Sequence, residues 1–163
     1  MAIGLTSQIT QRLAAVERWV RDHAAWEISN STCQVILTQK PQTITTATDT
    51  DIIFESEVYD PDDLWDVGTP TVITTIVAGV YIITGHVLWS GMATDSYQRA
   101  RITINGTAFG GAAAGAVTGK IGMNNPSLQY RLAVGDAVGM EVRQESGGDE
   151  TITHAYLGIT RIA

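Results

Sequence analysis

The chain has 163 residues, 44% of them apolar, with 17 acidic against 10 basic side chains and a formal net charge of −7. That length suits one domain with a short appendage, and that apolar share can support a core. The acidic balance argues against nucleic-acid and anionic-membrane partners, because phosphate-backbone binding is dominated by Lys and Arg.

Sixteen Gly, only four Pro and many Thr, Val and Ile favour strands joined by tight turns. The single cysteine, Cys33, cannot form an internal disulfide and reads as a small hydrophobe opening a strand. Met1 to Leu5 lacks the basic region and long apolar core of a signal peptide, so synthesis in the cytoplasm is expected, with any extracellular life beginning by another route such as cell lysis. Ile76 to Trp89 is too short to span a bilayer and is interrupted by Gly79, Thr84, Gly85 and His86, so no membrane insertion is expected.

From Thr6 to about Glu27 good helix formers run without Gly or Pro. Ile9, Leu13, Val16, Val20 and His23 follow a 4,3,4,3 spacing, which predicts a short α-helix with a coiled-coil seam. Ser7 or Thr6 supplies the N-cap. So short a helix is marginal alone and gains from attachment to an oligomeric head. Trp19 and Trp26 fall outside the seam and favour contact beyond it, with the head or with a larger assembly. Residues 1–31 are expected to form the stem and its linker, and residues 32–163 the head.

Strands are predicted at Cys33 to Thr38, Asp51 to Tyr59, Thr71 to Ile76, Gly79 to Ser90, Tyr97 to Ile104, Ser127 to Val134, Ala137 to Glu145 and Thr151 to Ile162. Asn105-Gly106 is a strong hairpin signal, since both residues tolerate positive φ. Ala108 to Gly119, rich in Ala and Gly and without period, reads as a surface loop. Many short strands without interleaved helices indicate an all-β antiparallel sandwich or barrel. In the longest strand Val80, Ile82 and Leu88 lie on one face, and Tyr81, Ile83, Val87 and Trp89 on the other. Both faces are apolar, so two partners are needed. One is the second sheet, and the other is expected to be a neighbouring subunit.

The tract Asp49, Asp51, Glu55, Glu57, Asp60, Asp62, Asp63 and Asp66 contains no basic residue. Asp60, Asp62 and Asp63 are a candidate calcium site, since hard cations favour clustered carboxylate oxygens. The plainer reading, a solvated turn that guards an edge strand, is favoured. No other cofactor is expected. No nucleophile elbow, phosphate-binding loop or dinucleotide fingerprint occurs, and His23, His86 and His154 fall in three separate elements at no metal-ligand spacing. No enzymatic activity is expected.

Three fragments carry a resemblance: Gly79-Val80-Tyr81 leading its strand, Leu132 to Val138 around Gly135-Asp136, and Ala155-Tyr156-Leu157-Gly158-Ile159. In order and spacing they resemble the globular heads of complement collagen-like proteins and tumour necrosis factor ligands. That resemblance implies a homotrimeric jelly roll, with Tyr81, Ile83, Val87, Trp89 and Tyr156 at the trimer interface. Phe54 to Asp66, Gly79 to Trp89 and Val142 to Gly148 further resemble small jelly-roll proteins of tailed bacteriophages. A virion tail or fibre head follows, its stem bound to other virion proteins and its distal surface to a host cell-surface glycan. Trp65 and Tyr97, near predicted loops, are the candidate sugar platforms. A capsid head-fibre or decoration protein with purely structural contacts is the nearest alternative, and a secreted signalling or adhesive trimeric head is the third.

Overall fold

The computed structural model describes residues 12–18, 31–90, 97–115 and 122–163. Residues 12–18 form a helix, α1, on which Leu13 and Val16 are both well exposed. The other expected seam residues, Ile9, Val20 and His23, lie outside the described residues, as do Trp19 and Trp26.

The strands, in chain order, are β1 (Thr32–Leu37), β2 (Gln42–Ile44), β3 (Thr50–Asp51), β4 (Ser56–Tyr59), β5 (Val72–Thr74), β6 (Gly79–Ser90), β7 (Tyr97–Ile104), β8 (Thr107–Gly115), β9 (Gly122–Asn124), β10 (Ser127–Leu132), β11 (Ala137–Gln144) and β12 (Glu150–Arg161). They build two antiparallel sheets, one ordered β10-β6-β12-β1-β4 with β2 and β9 flanking β12 and β6. The second runs β3-β11-β7-β8, with β5 beside β11. Apart from the β7–β8 hairpin, neighbours along the main path of each sheet are not consecutive in the chain, and the two sheets pack face to face as a jelly-roll sandwich.

Period-two alternation decides the core. The first sheet turns Cys33, Val35, Leu37, Tyr81, Ile83, Val87, Trp89, Leu157 and Ile159 inward, and the second answers with Ala100, Ile102, Val138, Met140 and Val142. Full burial of such a side chain stabilises by about 1.5–3 kcal/mol. Gly85 leaves room for Met140, whose Sδ would sit 2.5 Å from a Cβ built there. Two buried polar groups find partners across the core: the Trp89 indole donates to Asn124 Oδ1 at 2.9 Å, and the Gln144 amide donates to the Ile44 carbonyl at 3.0 Å.

Two expectations need correction. Ala108 to Gly119 is not simply a loop, because β8 occupies Thr107–Gly115 and pairs with β7. The Asn105-Gly106 turn, at φ 52° and 73°, returns the chain in register, and small residues are then required: a Cβ on Gly111 would lie 2.9 Å from the Ala100 carbonyl oxygen. Asp51 to Tyr59 is likewise two strands in different sheets. Between them Ile52 donates to the Met140 carbonyl and Glu55 to the Ile36 carbonyl, so the backbone changes sheets while Ile52 and Phe54 stay buried.

The Leu132 to Val138 fragment forms a hydrogen-bonded corner. Gly135 takes φ 86°, and the Asp136 carboxylate accepts the Ala133 N–H at 2.7 Å and the Asn105 side-chain amide at 2.9 Å. Asn105 Oδ1 in turn accepts the Ala137 N–H, which ties this corner to the β7–β8 hairpin. The Asn105 bond, then the Ala133 bond, hold the Asp136 carboxyl below its ordinary value.

Candidate functional site

The two sheets present outer faces of opposite character. On the five-stranded sheet, register sets Arg101 opposite Glu141 and Arg99 opposite Arg143. Asp49 bridges them, 2.5 Å from Arg99 and 3.3 Å from Arg101, while Arg101 also pairs with Glu141 and Arg143 with Glu145 at 2.9 Å. A face laced with paired charges is finished for water.

The seven-stranded sheet is different. The outward positions of β6 are Val80, Ile82, Thr84, His86 and Leu88. Against them β12 sets Thr160, Gly158, Tyr156 and His154, and β1 continues with Thr32, Gln34 and Ile36. Met123 of β9 lies opposite Leu88. Across these outward positions there is no Asp, Glu, Lys or Arg. Ile82 is 43% exposed and Met123 58% exposed, and His86 stacks on Tyr156 with ring centroids 5.3 Å apart and planes 16° from parallel. His86 Nδ1 also shares a 2.7 Å hydrogen bond with Asn125 Oδ1. The result is a surface on which Val80, Ile82, Leu88, Ile36, Met123 and Tyr156 are interspersed with uncharged hydroxyl and amide groups and two imidazoles.

This reverses part of the expected interface. Tyr81, Ile83, Val87 and Trp89 are fully buried inside the protomer, where they pack against the second sheet and cannot meet a neighbouring subunit. Tyr156 does lie on the outward face, together with Val80, Ile82 and Leu88. A strand apolar on both faces gives no sign of which face is the core.

No protein-family model matches the sequence, and no curated protein matches it significantly. Solved structures do match in shape. The globular domain of zebrafish complement 1qA superposes with a TM-score of 0.63 at 14% identity, over 82% of this chain and 98% of that one. Murine APRIL gives 0.58 at 10% identity, over 82% and 99%, and Eiger TNF from S. frugiperda 0.55 at 13%, over 83% and 94%. The fold is that of the complement 1q and tumour necrosis factor heads. The outer face of the longer sheet, whose main path runs β10-β6-β12-β1-β4, is the candidate site.

The remaining candidate residues fall elsewhere on the head. Trp65 is 7% exposed: its backbone bridges Ile73 and its indole lies against the Pro70 carbonyl, so it is core and not an open sugar platform. Tyr97, 39% exposed at the start of β7, remains on the surface. Asp60 uses both carboxylate oxygens to accept backbone N–H groups, from Leu64 at 2.9 Å and Trp65 at 2.7 Å. Among the described residues no three acidic, His or Cys side chains are grouped to hold a metal ion, so Asp60, Asp62 and Asp63 do not converge as calcium binding requires. Asp60 instead fixes the loop that seats Trp65. Asp60→Ala is expected to lower stability by about 1–3 kcal/mol through the orphaned N–H groups. Millimolar calcium is expected to leave the wild-type melting temperature unmoved, and a clear rise in calorimetry would restore the cation reading.

Cys33 is buried in β1, and burial, then the neighbouring Asp60, push its thiol well above the ordinary value. It is therefore a packing residue, inert as a nucleophile.

Proposed function

We propose that the protein is a homotrimeric jelly-roll head on an N-terminal helical stem, serving as a bacteriophage virion structural protein at a tail or fibre tip. The outer face of the seven-stranded sheet, uncharged at the outward positions of β6 and β1 and opposite them on β12, with Arg131 of β10 beside Val80, carries this reading. A second copy of the same chain is the proposed cover, since the middle of the face, along β6, β12 and β1, offers no charge to direct a foreign acidic or basic partner, and the other sheet face is already ion-paired. The exposed Leu13 and Val16 of α1 support a stem that associates in step with the head.

The virion role rests on the likeness of Phe54 to Asp66, Gly79 to Trp89 and Val142 to Gly148 to phage jelly-roll proteins. Three copies on one tip, and several tips on one particle, would make weak glycan sites effective. Tyr97 is the surface aromatic left for that contact. The burial of Trp65 favours the second reading, a capsid head-fibre or decoration protein whose contacts are all with its own virion. Deletion of residues 1–27 distinguishes them: loss of virion incorporation with retained binding of the purified head to host cells supports the adhesin. A head that binds no host cells supports decoration.

A further inference from the structure

We propose that Asn105 is a site of spontaneous deamidation, guarded by Asp136 while the corner is closed, and that its conversion to a carboxylate permanently uncouples the β7–β8 hairpin from the β10–β11 turn. The inference does not depend on the trimer reading. Among Asn30, Asn105, Asn124 and Asn125, Asn105 is the one followed by glycine, so the backbone nitrogen after it carries no side chain beside it. Asn105 and Gly106 are both exposed at the hairpin tip, and a Cβ built on Gly106 meets nothing within 4 Å. Asn124, by contrast, is buried between Trp89 and the Ala112 carbonyl, and Asn125 precedes Pro126, whose nitrogen has no proton to lose.

The reaction needs only water. The Gly106 backbone nitrogen attacks Asn105 Cγ, forming a C–N bond as the Cγ–Nδ2 bond breaks. The Gly106 proton leaves with Nδ2 as ammonia, and a cyclic succinimide remains. Water then adds to either ring carbonyl and breaks its bond to nitrogen, giving aspartate by opening at Cγ or isoaspartate by opening at the backbone carbonyl.

The closed corner opposes that attack. Asn105 Nδ2 donates to Asp136 Oδ1 at 2.9 Å, Asn105 Oδ1 accepts the Ala137 N–H at 2.9 Å, and the Asn105 N–H donates to the Ala137 carbonyl at 2.8 Å. Both ends of the side-chain amide are tied to the β10–β11 turn, so Cγ swings onto the Gly106 nitrogen only when these bonds open. The product cannot close the corner again. A carboxylate at position 105 has no N–H for Asp136 Oδ1 and sets a second anion where the amide nitrogen stood, 2.9 Å from the first. The isoaspartate form also lengthens the backbone of the Asn105-Gly106 turn, between Ile104 and Thr107, which pair directly across the hairpin.

Timed incubation of the full chain at mildly alkaline pH, in buffer and in urea, followed by peptide mapping with mass spectrometry, tests the site and its guard. Conversion at Asn105 is expected to run at least ~10-fold slower in the folded chain than in urea, and Asp136→Ala is expected to remove most of that protection. If that variant does not fold, Asp136→Asn takes its place, keeping the shape while giving up one of the two acceptor oxygens. Thermal melting tests the uncoupling: Asn105→Asp should lower the melting temperature, and adding Asp136→Asn should restore it, because donor and acceptor have then only changed places. No conversion of Asn105 in urea overturns the site. Equal rates in buffer and urea, or an unchanged rate in the Asp136 variant, overturn the guard. An Asn105→Asp chain that melts like wild type, or one that Asp136→Asn does not rescue, overturns the uncoupling.

Discussion

Replacing Trp89 by alanine is expected to destabilise the protomer by about 3–5 kcal/mol for the large cavity alone, against total stabilities of about 5–15 kcal/mol for a domain. The side chain is fully buried and its indole satisfies Asn124 Oδ1, while the Asn124 amide reaches the Ala112 carbonyl at 3.2 Å. The substitution therefore also leaves a buried acceptor unpaired beside β8 and β9. Trp89→Phe helps separate the two effects: it loses the hydrogen bond, at about 1–3 kcal/mol, and leaves a much smaller cavity than alanine does. Urea unfolding monitored by far-ultraviolet circular dichroism measures both. A loss under 1 kcal/mol for Trp89→Ala would mean that this side chain does not sit between the sheets.

A charge on the opposite face should act on assembly and spare the fold. Ile82→Glu places a carboxylate at the centre of the outward surface, between Thr160 of β12 and Gln129 of β10, where an isolated protomer leaves it in water. In the proposed trimer it would be desolvated without a partner, at about 3–5 kcal/mol per copy, enough to weaken association by more than ~100-fold. The expected outcome is a folded monomer with an unchanged circular dichroism spectrum. Arg101→Glu on the other sheet face, in contrast, should leave the oligomeric state unaltered. An Ile82→Glu chain that still sediments as wild type would remove this face from the interface.

The contrast between Trp89 and Ile82 shows how far the sequence could be read. The extent of β6, its two apolar faces and the Asn105-Gly106 hairpin were all legible, because alternation and positive-φ residues are local signals. Which face of β6 pointed inward was not, because a period of two defines two faces without ranking them. The large aromatics suggested an axis, yet Trp89 needed Asn124, a residue 35 positions away whose role no local pattern announces. The strand β8 was hidden because its Ala and Gly residues, demanded by the close approach of β7, carry no hydrophobic period. Asp60 stood as a candidate cation ligand beside the favoured solvated turn, because composition reports carboxylates and not the backbone N–H groups that engage them. Trp65 looked accessible because it stands beside a turn, while the bridge to Ile73 that buries it is a tertiary contact. Its fold was thus largely readable, and the orientation of its candidate site was not.

The account stands on the outer face of the seven-stranded sheet being covered by further copies of the same chain. Sedimentation equilibrium of the wild-type protein at pH 7.5, over a hundredfold range of micromolar concentrations, tests it most directly. A single species of three times the 17.5 kDa chain mass is the predicted result, and a folded monomer throughout that range would contradict it.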